Sequence, residues 1–301
     1  MIYTVTFSPA IDYVVDLDKL EIGEINRTKQ ECSYPGGKGI NVSMVLSNLG
    51  RGSVATGFLG GYTGDFIEKE LEKHHISSRF IRVEGNTRIN VKIRCGKETA
   101  INGQGPHIND REIEELIRML ERCTKDDLIV ISGTIPSTLP SNIYELILAR
   151  VEDTGAKVVV DATKDILVNT LKYHPLLVKP NKEELEEIFS VKINSDEELI
   201  DAAKKLVKKG AKYVIVSLGG DGALLVGKDV EPVLLPAPKG KVVNTVGAGD
   251  SLVAGFIDEY LESQDVLRAF KQGLATGSAS AFSEGLATEE KVEELLKAMD
   301  K

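Results

Sequence analysis

The sequence predicts an α/β protein built on a mainly parallel sheet. Two observations carry that prediction: short β-branched runs alternate with helical segments along the chain, and several of those runs are continuously apolar. A strand that reads LIVI or VVV has no polar face to show to water, so it belongs in a sheet covered on both sides. Strands separated by a helix are joined as βαβ units, which makes them parallel.

In chain order, the opening MIYTVTF is an alternating strand-like segment without the basic leader of a secretory signal. Further strands are expected at residues 53–59, 128–131, 157–160, 175–178 and 212–216. Helices fall between them. Asn109 precedes a helical run with Glu112 three residues on, Ser195 precedes another with Glu198 in the same place, and Gly210 ends the second. Both spacings are those of a capping box. Residues 12–33 and 87–102 break the alternation, because polar residues recur at every second place and no helix follows to cover the outer face. They predict a small second sheet acting as a lid; the other reading is surface hairpins without a role. No repeat, linker or low-complexity tract divides the chain, so residues 1–301 are expected to form one domain.

Composition removes several classes of function. With 46 acidic against 37 basic side chains the net charge is −9, and no Lys/Arg block is present. Nucleic acid and an anionic membrane are therefore poor partners, and no apolar run approaches the roughly 18 residues of a membrane span. Cys32, Cys95 and Cys123 are widely spaced and odd in number, which fits neither a disulfide framework nor a paired-cysteine metal site. A reducing, cytoplasmic compartment is the expectation. His74, His75, His107 and His174 show no zinc-binding spacing.

The 28 glycines locate the chemistry. Gly36, Gly37, Lys38, Gly39, Ile40 and Asn41 precede a helical stretch that ends at Gly50. Glycines let backbone N–H groups approach a ligand, a helix N-terminus favours negative charge, and Lys38 adds a cation. A tight turn with a solvated lysine is the competing reading. Near the C-terminus, Gly247, Ala248, Gly249 and Asp250 repeat the design ahead of SLVAGFIDEYLES. Small residues at a helix start leave their amides uncovered, forming an anion hole for a phosphoryl group in transfer. Asp250 beside it is placed to take a proton from an attacking hydroxyl, although an isolated Asp there would be an ordinary cap.

Two further clusters follow apolar strands. One is Lys179, Pro180, Asn181 with Glu183 and Glu184; the other runs from Ser217 through Gly219 and Gly222. Ligands of open α/β sheets bind at the carboxyl ends of strands. Asn181 and Glu184, three apart, are either water-mediated magnesium partners or a helix N-cap with its capping-box glutamate. The P-loop pattern, a complete GxGxxG and the GxSxG elbow are all missing. A dehydrogenase would need its glycine fingerprint after the first strand, where this chain has SPAID.

The motifs GGKGIN, KPNKEE, SLGGDGA and NTVGAGDS, in this order and at these distances, resemble those of the ribokinase-like, or phosphofructokinase B-type, carbohydrate kinases. The likeness covers essentially the whole chain. It implies a three-layer α/β/α sandwich with a small β-sheet lid, and a site that binds ATP, Mg2+ and a sugar phosphate. YPGGKGINVS, TRINVKI and INGQGP are similar to the branch that transfers the γ-phosphoryl of ATP to the 6-hydroxyl of fructose 1-phosphate. Tagatose 6-phosphate and fructose 6-phosphate are the alternative substrates the family offers. Carried over by motif, Asp250 is the implied base and the amides of Gly247, Ala248 and Gly249 the implied anion hole. Asp12, Gly37 and Asn41 are implied at the sugar, Lys38 and Arg88 at its phosphate. Lys179, Asn181, Ser217, Gly219 and Gly222 are implied at the nucleotide, with Glu184 reaching the metal through water. Asn244 stands where many members have Asp; it keeps the hydrogen-bonding geometry and loses the charge. Residues 275–282, in GLATGSASAF, are small enough either to admit adenine or to pack against another helix. A sensor without catalysis would be expected to lose Asp250 or an anion-hole glycine, and both are present. A bare lid face could pair with its copy to give a homodimer.

Overall fold

A computed structural model describes residues 1–300. Its strands are β1 (Ile2–Thr6), β2 (Ala10–Asp16), β3 (Gln30–Gly36), β4 (Val54–Leu59), β5 (Ser77–Arg82), β6 (Arg88–Cys95), β7 (Lys97–Asn102), β8 (Leu128–Ser132), β9 (Lys157–Asp161), β10 (Leu177–Val178), β11 (Tyr213–Ser217), β12 (Ala223–Gly227) and β13 (Val233–Leu235). Its helices are α1 (Lys38–Asn48), α2 (Gly61–Lys73), α3 (Asp110–Leu120), α4 (Ile143–Val151), α5 (Lys164–Thr170), α6 (Lys182–Phe189), α7 (Asp196–Lys208), α8 (Ala248–Ser263), α9 (Val266–Ala281) and α10 (Glu289–Met299).

Nine strands form the main sheet in the order β13-β12-β11-β10-β9-β8-β1-β4-β5. Pairing is parallel from β5 across to β11, and β12 and β13 each run antiparallel to the strand before them. The alternation of side chains explains the three layers. Leu128 and Val130 of β8 join Val42 and Leu46 of α1 and Phe256 of α8, whereas Ile129 and Ile131 join Leu116 of α3 and Ile147 of α4. Continuously apolar strands are therefore buried from both sides, as the sequence predicts. Each fully buried Leu or Ile contributes about 1.5–3 kcal/mol.

The strands expected at 128–131, 157–160 and 212–216 appear within one residue of those limits; the one at 175–178 contracts to Leu177–Val178. The first glycine motif needs a correction. Helix α1 begins at Lys38, inside the motif, with Gly37 as N-cap at φ 128°. A Cβ on Gly37 would lie 2.6 Å from Thr6 Cγ2, and one on Gly39 would lie 2.8 Å from the Val5 carbonyl oxygen. These glycines let the helix start directly against the end of β1, which places Lys38 and Asn41 on its first turn. Consecutive strands leave β1 in opposite directions, to β4 on one side and β8 on the other. That is the switch point at which α/β sheets bind ligands.

The two irregular stretches form a separate four-stranded sheet, β3-β2-β6-β7. It is mixed: β2 and β6 run parallel, and the outer pairs are antiparallel. No helix among the described residues is long and apolar enough to cross a membrane.

Candidate active site

Helix α8 starts at the carboxyl edge of the main sheet. Gly247, its N-cap, is left-handed at φ 80°, a conformation glycine adopts without strain. Asp250 lies in the first turn and is 6% exposed. The Asn41 amide nitrogen donates to Asp250 Oδ2 at 2.8 Å. Burial pushes the Asp250 carboxyl up to about 6, helped by the negative charge of Asp161; the Asn41 hydrogen bond, Lys38 and Lys179 pull it down. The group is thus ionised at neutral pH yet basic enough to accept a hydroxyl proton.

Asp161 ends β9, 3% exposed, between two cations. Lys38 Nζ donates to Asp161 Oδ2 at 3.0 Å, and Lys179 Nζ lies 3.3 Å from Oδ1. Burial alone would raise this carboxyl, but Lys179 and Lys38 outweigh burial and hold it below the usual carboxylate range. Desolvation in turn lowers Lys38, and Asp161 and Asp250 more than restore it. Lys179 reaches beneath α8: a Cβ on Gly249 would stand 3.2 Å from its Nζ. Two ammonium groups and a helix N-terminus therefore surround the buried Asp250, a setting that favours an anion.

The two segments that the motifs imply at the nucleotide follow the next strands, β10 and β11. Asn181 caps α6, its Oδ1 accepting from the Glu184 N–H at 2.7 Å, and Glu184 Oε2 accepts from the Asn181 N–H at 2.8 Å. The capping box is thus complete. Ser217 donates its N–H to the Pro180 carbonyl at 3.1 Å, which ties the two segments edge to edge. Gly222 has φ 115°, and a Cβ there would meet the Leu235 carbonyl oxygen at 2.0 Å, so the loop starting at Gly219 closes tightly on β13. Asn244 Oδ1 accepts from the Val246 N–H at 3.0 Å; that turn needs an oxygen and no charge. The small residues of α9 serve packing: Ala275 and Ala279 are fully buried, and a Cβ on Gly277 would come 3.0 Å from the Ala248 carbonyl oxygen.

The second sheet supplies the remaining residues. Asp12 accepts from Asn90 Nδ2 and from Lys92 Nζ, each at 2.9 Å. Arg88 donates from Nη2 to the Ser8 carbonyl at 3.0 Å. Burial lowers Arg88, and Asp12 partly offsets this; a guanidinium stays charged regardless. Asp12, Gly37, Lys38, Asn41 and Arg88 thus gather around the junction of β1, α1 and the second sheet. Lys38 spans from there to Asp161.

Sequence reasoning missed Asp161, Asn90 and Lys92. The signal for Asp161 was available, because a carboxylate closing an all-apolar strand, KVVVD, has to be paired once buried. Asn90 and Lys92 fall two apart in TRINVKI, hence on one face of β6, but nothing local shows that this face meets Asp12.

A poised carboxylate at a helix N-terminus, with one lysine on the first turn of α1 and another just after β10, belongs to the class of phosphoryl-transfer sites. Comparison with known proteins makes the class specific. The pfkB family carbohydrate kinase pattern matches residues 5–292, and the chain belongs to that family. It is 45% identical over 296 residues to a 1-phosphofructokinase of Bacillus subtilis, covering 98% of this chain and 97% of that one. It is 39% identical over 295 residues to a D-tagatose-1-phosphate kinase of Bacillus licheniformis, covering 98% and 97%. The structure of phosphofructokinase-2 from Escherichia coli in complex with fructose-6-phosphate superposes with a TM-score of 0.92 at 25% identity, covering 100% and 99%. The protein is an ATP-dependent sugar kinase with the ribokinase-like fold expected from its motifs.

Proposed function

We propose that the chain transfers the γ-phosphoryl group of ATP to the 6-hydroxyl of fructose 1-phosphate, giving fructose 1,6-bisphosphate. The observation that carries this reading is the buried Asp250 carboxyl, pushed up to about 6 and hydrogen-bonded to Asn41. Asn41 and Asp12 hold the sugar hydroxyls over Gly37. Asp250 takes the proton as the C6 oxygen attacks. The amides of Gly247, Ala248 and Gly249 and the ammonium groups of Lys38 and Lys179 offset the charge that spreads over the transferring group. Arg88 and Lys38 hold the sugar's own phosphate, and Ser217, Gly219 and Gly222 line the nucleotide side. Preference for fructose 1-phosphate is supported by the 45% identity to the Bacillus subtilis 1-phosphofructokinase.

Among the described residues no three His, Cys, Asp or Glu side chains converge as a metal cage. One carboxylate with a free oxygen fits Mg2+, which keeps several waters and relies on substrate phosphates with one or two carboxylates. Glu184 would hold it through water, since only Oε2 is used by the cap. When bound, the ion supplies charge neutralisation at the phosphates.

The four-stranded sheet acts as a lid over the sugar, excluding water as it closes. Ile89 and Ile101 on one face, and Ile22 and Ile25 on the loop between β2 and β3, are exposed, and two copies pair through this surface. A coupled ADP-release assay compares fructose 1-phosphate, D-tagatose 1-phosphate, tagatose 6-phosphate and fructose 6-phosphate. The expected result is the highest kcat/KM on fructose 1-phosphate, and a higher value on any other replaces the substrate assignment.

A further inference from the structure

A narrow cleft lies where the second sheet joins the body, walled by Phe7 and Phe58 and reached by Arg88, Gln104 and Thr138. Two of its polar atoms, Arg88 Nε and Thr138 Oγ1, are buried without a protein partner. Leaving either one unsatisfied is costly, because a buried donor or acceptor loses its water partner without replacement. The cleft has a volume of about 10 Å³, which is room for one water. A water also needs at least two polar neighbours, and both residues line this cleft.

We infer that Thr138 is a positioning residue for Arg88: a water held in this cleft accepts from Arg88 Nε–H and bonds to Thr138 Oγ1. Arg88 would then be fixed at two points, by this water and by the Ser8 carbonyl that accepts from Nη2 at 3.0 Å. Those anchors occupy the Nε–H and one Nη2 hydrogen. Both Nη1 hydrogens and the second Nη2 hydrogen remain, the edge from which a guanidinium grips a phosphate with two parallel bonds. The fork is set before the ligand arrives, so less ordering entropy is lost on binding. Thr138 follows β8 on the body and Arg88 opens β6 on the second sheet; the bridge therefore ties the substrate arginine to the frame that carries Asp161 and Lys38.

The inference rests on the assignment of Arg88 to the sugar's phosphate, and the experiment separates the two. Thr138→Val keeps the shape and removes the hydroxyl; Thr138→Ser keeps the hydroxyl; Arg88→Ala tests the assignment itself. For Thr138→Val the expected result is a three- to tenfold rise in KM for fructose 1-phosphate, with kcat and KM for ATP within twofold of the parent, in line with loss of a water-mediated bond to a charged group. Thr138→Ser should restore the parent KM. If Arg88→Ala leaves the sugar-phosphate KM unchanged, the assignment of Arg88 fails. If Arg88→Ala raises it and Thr138→Val does not, or Thr138→Val raises KM for ATP equally, the positioning role fails. A high-resolution crystal structure of the parent protein gives a readout independent of activity: an ordered water within hydrogen-bond distance of both atoms is expected, and a dry cleft overturns the inference even if a variant does not fold.

Discussion

Asp250 is held in a protonation state that costs stability. Its folded pKa is about 6 against an ordinary 3.8, so between those values the folded chain binds a proton that the unfolded chain has released. The stabilisation from that proton is complete below about pH 3.8 and is lost as pH rises through about 6. Above pH 6 the folded protein carries a desolvated carboxylate that it would be more stable without. Asp250→Asn is therefore expected to raise Tm at pH 8 by several degrees, with the gain disappearing below pH 4, while kcat falls by a factor on the order of 10³. Calorimetric titration should show sugar-phosphate binding largely intact. In the parent enzyme kcat/KM should fall on the acid side with a limb near pH 6. A variant with near-normal kcat, or a limb well below pH 5, would remove Asp250 as the base.

At the scale of elements, the decisive feature is where helices begin. Both α1 and α8 start on a glycine N-cap with positive φ, without a side-chain cap, at the edge of the sheet. An uncapped start leaves its amides for a ligand. The start of α6, filled by its own capping box, instead uses its first-turn side chains to hold shape. Gly249→Ala tests the α8 start. The added methyl meets only the flexible end of Lys179 at 3.2 Å, and Ala favours a helix over Gly by about 1 kcal/mol. Tm should hold or rise while kcat drops about tenfold, because Lys179 must move; unchanged kcat would show that its position is not critical. Gly277 and Gly255 have a different task, the close approach of α9 to α8, so small residues in the sequence mark two unlike functions.

Over the whole molecule, the second sheet joins the body where Ile11 packs against Ile40 and Ile67, through the Arg88–Ser8 bond and through the bond from the Gly60 N–H to Thr87 Oγ1 at 2.9 Å. As the proposed lid, the sheet would open with a lower free energy than the nine-stranded core. Saturating fructose 1-phosphate should slow hydrogen exchange in residues 12–33 and 87–102, and light scattering on the same samples should give twice the mass of one chain. Unchanged exchange would remove the lid, and a monomeric mass the pairing. Much of this architecture was legible in advance. Apolar runs announce doubly covered strands, capping boxes announce α3 and α6, a serine cap announces α7, whose Glu198 turns to the Asn194 N–H instead, and the glycine motifs announce the site, because each is a local rule of backbone or burial written in adjacent residues. The start of α1 four residues early, the pairing of Asp161 with Lys38 and Lys179, and the meeting of Asp12 with Asn90 and Lys92 were decided only by the tertiary structure. Those contacts join residues 18 to 123 positions apart, and the energy of a buried charge depends on what the fold brings beside it, which no neighbour in sequence records.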